Sequence, residues 1–83
     1  MMGKVLTLLR ISPDEGVDVN ALRERVAKIE GCNSARVEDY VFGTKVVKAS
    51  FVCDDKAAKD FEEIARGVEG VSEVQVEEVG LIS

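Results

Sequence analysis

The stretch Glu38–Asp55, EDYVFGTKVVKASFVCDD, decides how the rest of the chain must be arranged. Behind Lys45 its residues alternate as far as Asp54. Val47, Ala49, Phe51 and Cys53 fall on one side; Val46, Lys48, Ser50, Val52 and Asp54 fall on the other. A period of two with one apolar side describes a strand that buries one face. Just ahead of it Gly43, within Phe42-Gly43-Thr44, supplies the freedom to reverse the chain. The flanking sequence must therefore provide a strand on the near side of that turn and a layer to cover the buried face.

Working upstream, Ser34–Val41 (SARVEDYV) alternates weakly, with Ala35 and Val37 between Arg36 and Glu38. It reads as the partner strand. Before it, Val19, Leu22, Val26 and Ile29 recur at helical spacing behind Asp18, a good N-cap, and Gly31 stands where a helix would end. Lys4–Ile11 (KVLTLLRI) is almost continuously apolar, as suits a central strand, and Ser12-Pro13-Asp14-Glu15-Gly16 breaks it. Downstream, Asp54 or Asp55 would cap a second helix carrying Ala57, Phe61, Ile64 and Val68 on one face. Gly67 and Gly70 bracket its end. Val71–Val79 reads as a last strand, with Val74 and Val76 facing one way and Glu73, Gln75 and Glu77 the other.

The order is β-α-β-β-α-β, and it contains a repeat. IEGCNSARVEDY from Ile29 matches VEGVSEVQVEEV from Val68 at an offset that also places Leu22 on Phe61 and Val26 on Ala65. Two such halves, each with a right-handed crossover, interleave into one sheet. The expected fold class is α+β: a ferredoxin-like plait (βαββαβ), a four-stranded antiparallel sheet in order 4-1-3-2 with two helices on one face. The two most apolar strands, first and third, would lie at its centre.

All 83 residues fit one domain, 1–83. Sixteen acidic against 11 basic residues give a net charge of −5, which disfavours phosphate backbones and so nucleic acid as a partner. Nor do the central strands offer the rings that RNA-binding plaits stack on bases: the first has none, and Phe51 falls on the side to be covered. There is no histidine and no CxxC pair, so we expect no metal site, no cofactor and no histidine-dependent nucleophile; the chain does not read as an enzyme. Cys53 reads as a small buried hydrophobe and Cys32 as the residue opening a loop or strand, with no disulfide between them. Met-Met-Gly-Lys-Val runs straight into a strand, and no segment approaches the ~20 apolar residues that span a bilayer. No membrane partner and a cytoplasmic location are expected.

Two places carry apolar bulk where polar residues are usual. Tyr40, Val41 and Phe42 lie at a turn, followed by Gly43, Thr44 and Lys45; Leu81 and Ile82 lie beyond the last strand. Phe42 either presents a docking surface or folds back on the sheet edge. Lys45 is either a contact or an edge charge. Leu81 and Ile82 either complete the core or meet a partner. The acidic residues Glu73, Glu77 and Glu78 read as a solvated strand face.

The chain resembles the archaeal type of translation elongation factor 1-beta, and so the C-terminal exchange domain of the eukaryotic factor. The resemblance is carried by Ile11-Ser12-Pro13, by Val17-Asp18-Val19 with Leu22, by the turn Phe42-Gly43-Thr44-Lys45, and by Val68-Glu69-Gly70-Val71-Ser72 with Val74 and Val76. It implies a guanine nucleotide exchange factor that binds the GTPase elongation factor 1-alpha and promotes GDP release, with Tyr40–Lys45 and the C-terminal Leu81 and Ile82 as contacts. The sequence departs from the family in three places. Tyr40 stands near the place of a proline that often precedes the turn. The loop after the third strand is shorter. Leu81 occupies the place of a basic residue held to intrude on the partner's magnesium site, so this chain either displaces magnesium by other means or lacks exchange activity. The alternative is a small regulatory or ligand-binding plait, possibly dimeric, with Gly16 as its candidate ligand-site glycine. For the exchange domain we expect a monomer.

Overall fold

The computed structural model describes residues 3–54 and 60–81. Four strands form one antiparallel sheet: β1 (Lys4–Pro13), β2 (Cys32–Asp39), β3 (Lys45–Asp54) and β4 (Val71–Leu81), in the order β2-β3-β1-β4. Read from the other edge this is 4-1-3-2, the expected plait. Helices α1 (Val19–Ala27) and α2 (Phe61–Arg66) supply Leu22, Val26, Phe61 and Ala65 to one core with Leu9, Ile11, Val47, Ala49, Phe51 and Val74. Both helices thus cover the same face, and β1 and β3 are central, as their near-continuous apolar character requires.

The repeat survives as symmetry. Leu22 and Phe61, and Val26 and Ala65, are paired by the offset and are all buried. Gly31 and Gly70 take the same left-handed backbone, with φ of 97° and 96°. Each carbonyl accepts a bond from a residue distant in sequence: Gly31 from the Val52 amide of β3 at 2.9 Å, Gly70 from the Asp14 amide just past β1 at 2.7 Å. At Gly31 the requirement is double, because an added Cβ would meet the Phe61 ring at 2.9 Å.

Several boundaries differ from expectation. Gly31 is not the helix cap: α1 ends at Ala27 with Lys28 at its C-cap, and Gly31 turns the chain into β2. Asp54 belongs to β3, and α2 is capped by Asp60, whose side chain accepts from the Glu63 amide at 3.1 Å. Asp55 and Ala57 lie outside the described residues. Ile64, expected on the core face of α2, is 40% exposed, and Ala65 takes that place. A six-residue helix presents a narrow stripe, and here Phe61 and Ala65 fill it. β1 runs through Pro13, a strand-end position that a residue without an amide tolerates. β2 stops at Asp39 rather than Val41.

Candidate functional site

The connection between β2 and β3 is one tight turn, Val41–Gly43. The Thr44 amide donates to the Val41 carbonyl at 3.1 Å, and both central residues have positive φ: 58° at Phe42 and 75° at Gly43. Two positive φ values inside a closed four-residue turn make a type I′ turn, set in the five-residue connection Tyr40–Thr44 between the paired Asp39 and Lys45. Asn-Gly or Asp-Gly is the favoured pair for such a turn. Here the first central residue is phenylalanine, and holding a bulky side chain in this region costs about 1–2 kcal/mol. Phe42 nevertheless does not fold back on the sheet. It is 99% exposed. The strained backbone places a large ring in water, where packing gains nothing from it.

The turn is rigid in itself. The Tyr40 amide donates to the Thr44 carbonyl at 2.7 Å, and the Thr44 hydroxyl donates to the Val41 carbonyl at 2.6 Å. Lys45 is not a free charge: its ammonium lies 2.7 Å from Asp39, across the hairpin's closing pair. That bond and the charge of Lys45 hold the Asp39 carboxyl below the usual carboxylate range. Tyr40 leaves the hairpin altogether. Its ring lies over the guanidinium of Arg10 on β1, 4.4 Å from carbon to centroid.

Arg10 lies on the helix-free face, opposite Lys48 of β3 and Gln75 of β4. A shift of register between Leu8 and Leu9 leaves Glu77 out of the β1–β4 pairing. Its carboxylate lies 3.3 Å from Arg10 and also pairs with Lys48, while Gln75 accepts a further bond from Arg10. Glu77 is exposed, as are Glu73 and Glu78 and as alternation implies, but it is also an ion-pair partner within the sheet. The network escapes sequence reading because its members come from three strands. Only the mismatch between Phe42-Gly43 and the residues favoured in an I′ turn was there to be read.

Leu81 is the other candidate. It ends β4 opposite Val5 and is 71% exposed, so it does not complete the core; Val79 beside it is 60% exposed. Ile82 lies outside the described residues. Leu81 and the Phe42 turn are not one patch. Leu81 is level with Val5 and Val47 with Ile11, and Lys45 is two residues further on, which separates them by roughly 25 Å along the strands. Cys32 and Cys53 are both free and partly buried, and burial pushes the Cys32 thiol up. No helix among the described residues is long and apolar enough to cross a membrane, and no cluster among them has three potential metal-ligating side chains. Gly16 has φ of 80° in the turn before α1, with nothing within 4 Å of an added Cβ.

Comparison with known proteins places this geometry. The chain is similar to the elongation factor 1-beta of Natronomonas pharaonis, 34% identical over 88 residues that cover 98% of this chain and 100% of that protein. It is also similar to the elongation factor 1-beta of Staphylothermus marinus, 31% identical over 90 residues that cover 99% and 100%. A family model described as the EF-1 guanine nucleotide exchange domain matches residues 6–82. With the family model and both relatives matched over nearly the whole of the plait, the chain belongs to the family of EF-1 guanine nucleotide exchange domains.

Proposed function

We propose that this domain promotes GDP release from the GTPase elongation factor 1-alpha during translation elongation, gripping it with the Tyr40–Lys45 turn and the end of β4. The observation that carries the reading is Phe42, held in a strained backbone and 99% exposed. A buried aromatic anchor is the commonest hot spot of a protein interface, and a backbone already closed by the turn's hydrogen bonds has less freedom to lose on docking. Val41 beside it is exposed too, and Gly43 leaves room for close approach.

The domain makes and breaks no covalent bond in this reading. It acts by linkage: it binds the nucleotide-free GTPase more tightly than the GDP-bound form, so GDP binds the complex more weakly by the same factor. The roughly 25 Å between turn and Leu81 fits a partner held at two separate places, one fixing the domain and one strained by it. Leu81 brings apolar surface to the second place and no positive charge. It would therefore act by wedging or by moving a loop, not by competing with a cation. One domain per GTPase, in the cytoplasm, completes the proposal.

Labelled GDP release from elongation factor 1-alpha tests it. Release should accelerate with added domain and saturate. No acceleration at saturating domain would sink the reading. Cutting the chain after Gly80 should lower the maximal rate; unchanged exchange would remove Leu81 from the contact.

A further inference from the structure

We infer that Arg10 is a positioning residue for the Phe42 turn, holding it through Tyr40 and itself held by Gln75 and Glu77 of β4. The inference rests on the reading of that turn as a contact for the GTPase.

The hydrogen bonds that shape the turn are its own: Tyr40 to Thr44, Thr44 to Val41, Lys45 to Asp39. They fix the loop's shape but not its angle to the sheet. The segment Tyr40–Thr44, beyond the closing pair Asp39–Lys45, can still swing about that pair as a unit. Tyr40 is the residue that stops this. It stands just past the last paired residue of β2, and its ring reaches over β3 to Arg10 on β1. Val46, on β3 between them, is 2% exposed although no helix covers that face. The ring and the guanidinium, meeting across β3 on that face, are placed to shield Val46, which would favour the closed position over the swung one.

A guanidinium on a flexible stem would be a poor anchor. Arg10 is not loose: its side chain is 16% exposed, with Glu77 at 3.3 Å and Gln75 bonded to its other terminal nitrogen. Lys48, directly opposite on β3, is turned to the same Glu77, so the two cations share one carboxylate and do not crowd each other. Glu77, two residues past Gln75 and outside the regular β1–β4 pairs, reaches both. Strand β4 thereby fixes Arg10, Arg10 fixes Tyr40, and Tyr40 sets the direction in which Phe42 points.

Arg10→Met keeps the stem and removes the guanidinium. Its half-saturating concentration in GDP release should rise about two- to tenfold, the worth of one cation–π contact, with the maximal rate unchanged. Amide order parameters at Val41–Thr44 should fall. Arg10→Lys, which keeps a cation over the ring, should recover most of both. In the order parameters of the turn, Tyr40→Leu should match Arg10→Met, Tyr40→Phe, which keeps the ring, should match the wild type, and the Arg10→Met/Tyr40→Leu pair should fall no further than the worse single change. Additive losses, or turn amides as ordered as in the wild type, would overturn the inference. If Arg10→Met weakens the fold, the two Tyr40 variants put the same question from the exposed side. Phe42→Ala separates the two readings. Unchanged exchange there removes the turn from the GTPase contact, and the order parameters alone then decide whether Arg10 holds it.

Discussion

Of the three phenylalanines in this chain, two lie in the core and one stands in water. Phe51 of β3 and Phe61 of α2 stack with their centroids 4.7 Å apart and their planes 21° from parallel, joining the sheet to the second helix. Phe42 touches water on every side and sits on a backbone that resists it. The first two are where alternation and helical spacing put apolar rings. The third violates both burial and turn preference at one position. A residue that breaks two rules of folding at once is the place to test for a role other than folding.

The sharpest way to break this contrast is to cut into the core pair. Phe51→Ala should destabilise the domain by about 3–5 kcal/mol in urea unfolding, since a fully buried ring leaves a cavity its neighbours cannot fill. For a domain of this size that is a large part of the total stability. A loss under 1 kcal/mol would mean that the stacked rings do not hold α2 to the sheet.

Gly31 probes the same region from the backbone side. Gly31→Ala must keep φ at 97° and place a methyl 2.9 Å from the Phe61 ring. Gly43→Ala keeps φ at 75° with nothing within 4 Å. The first should cost about 2–3 kcal/mol and the second about 1, the difference being the contact with the ring. Equal losses in thermal or urea unfolding would show that backbone strain alone sets both costs.

The exposed ring should behave in the opposite sense. Phe42→Asn restores a favoured I′ pair and should leave stability unchanged or raise it by up to about 1 kcal/mol. It should also raise the half-saturating concentration for GDP release about tenfold or more, as loss of an interface anchor does. A variant that gains stability and loses exchange is what a function-strained turn predicts. Loss of both would make Phe42 a structural residue after all.

How much of this could be read from the chain alone divides along the same line. Val47, Ala49 and Phe51 on one face of β3, Leu22 and Val26 on α1, the Asp18 cap and the order 4-1-3-2 all follow from local periods and one internal repeat. Such patterns are legible because burial of one face imposes them residue by residue. The boundaries of α2 were not legible: with six residues, one apolar stripe fits Ile64 as well as Ala65. The turn was legible as a place, through Phe42-Gly43-Thr44-Lys45, but its positive φ values were not. Arg10, Gln75 and Glu77 could not be found at all as a set. They meet only once β1 and β4 are paired, which depends on contacts distant in sequence.

The smallest effect tests how the turn is held. Asp39 and Lys45 face each other at 2.7 Å with both side chains largely in water, so their contribution to stability is slight. The carboxyl titrates below its ordinary range because Lys45 bonds and attracts its charged form. A depressed folded-state value means that the pair's contribution is complete above the ordinary carboxylate pKa of about 3.9 and fades as pH falls through the folded-state value. Exchange and stability should therefore show no change from this pair between about pH 5 and 8. Lys45→Met should return the Asp39 carboxyl, followed by its carbon NMR signal, toward the ordinary range, and should leave the melting temperature nearly unmoved. If Asp39 still titrates low in that variant, another cation holds it, and Lys45 becomes available to the GTPase. If it rises while exchange is kept, the ion pair serves only to close the hairpin, and the contact at this end of the sheet rests on Phe42.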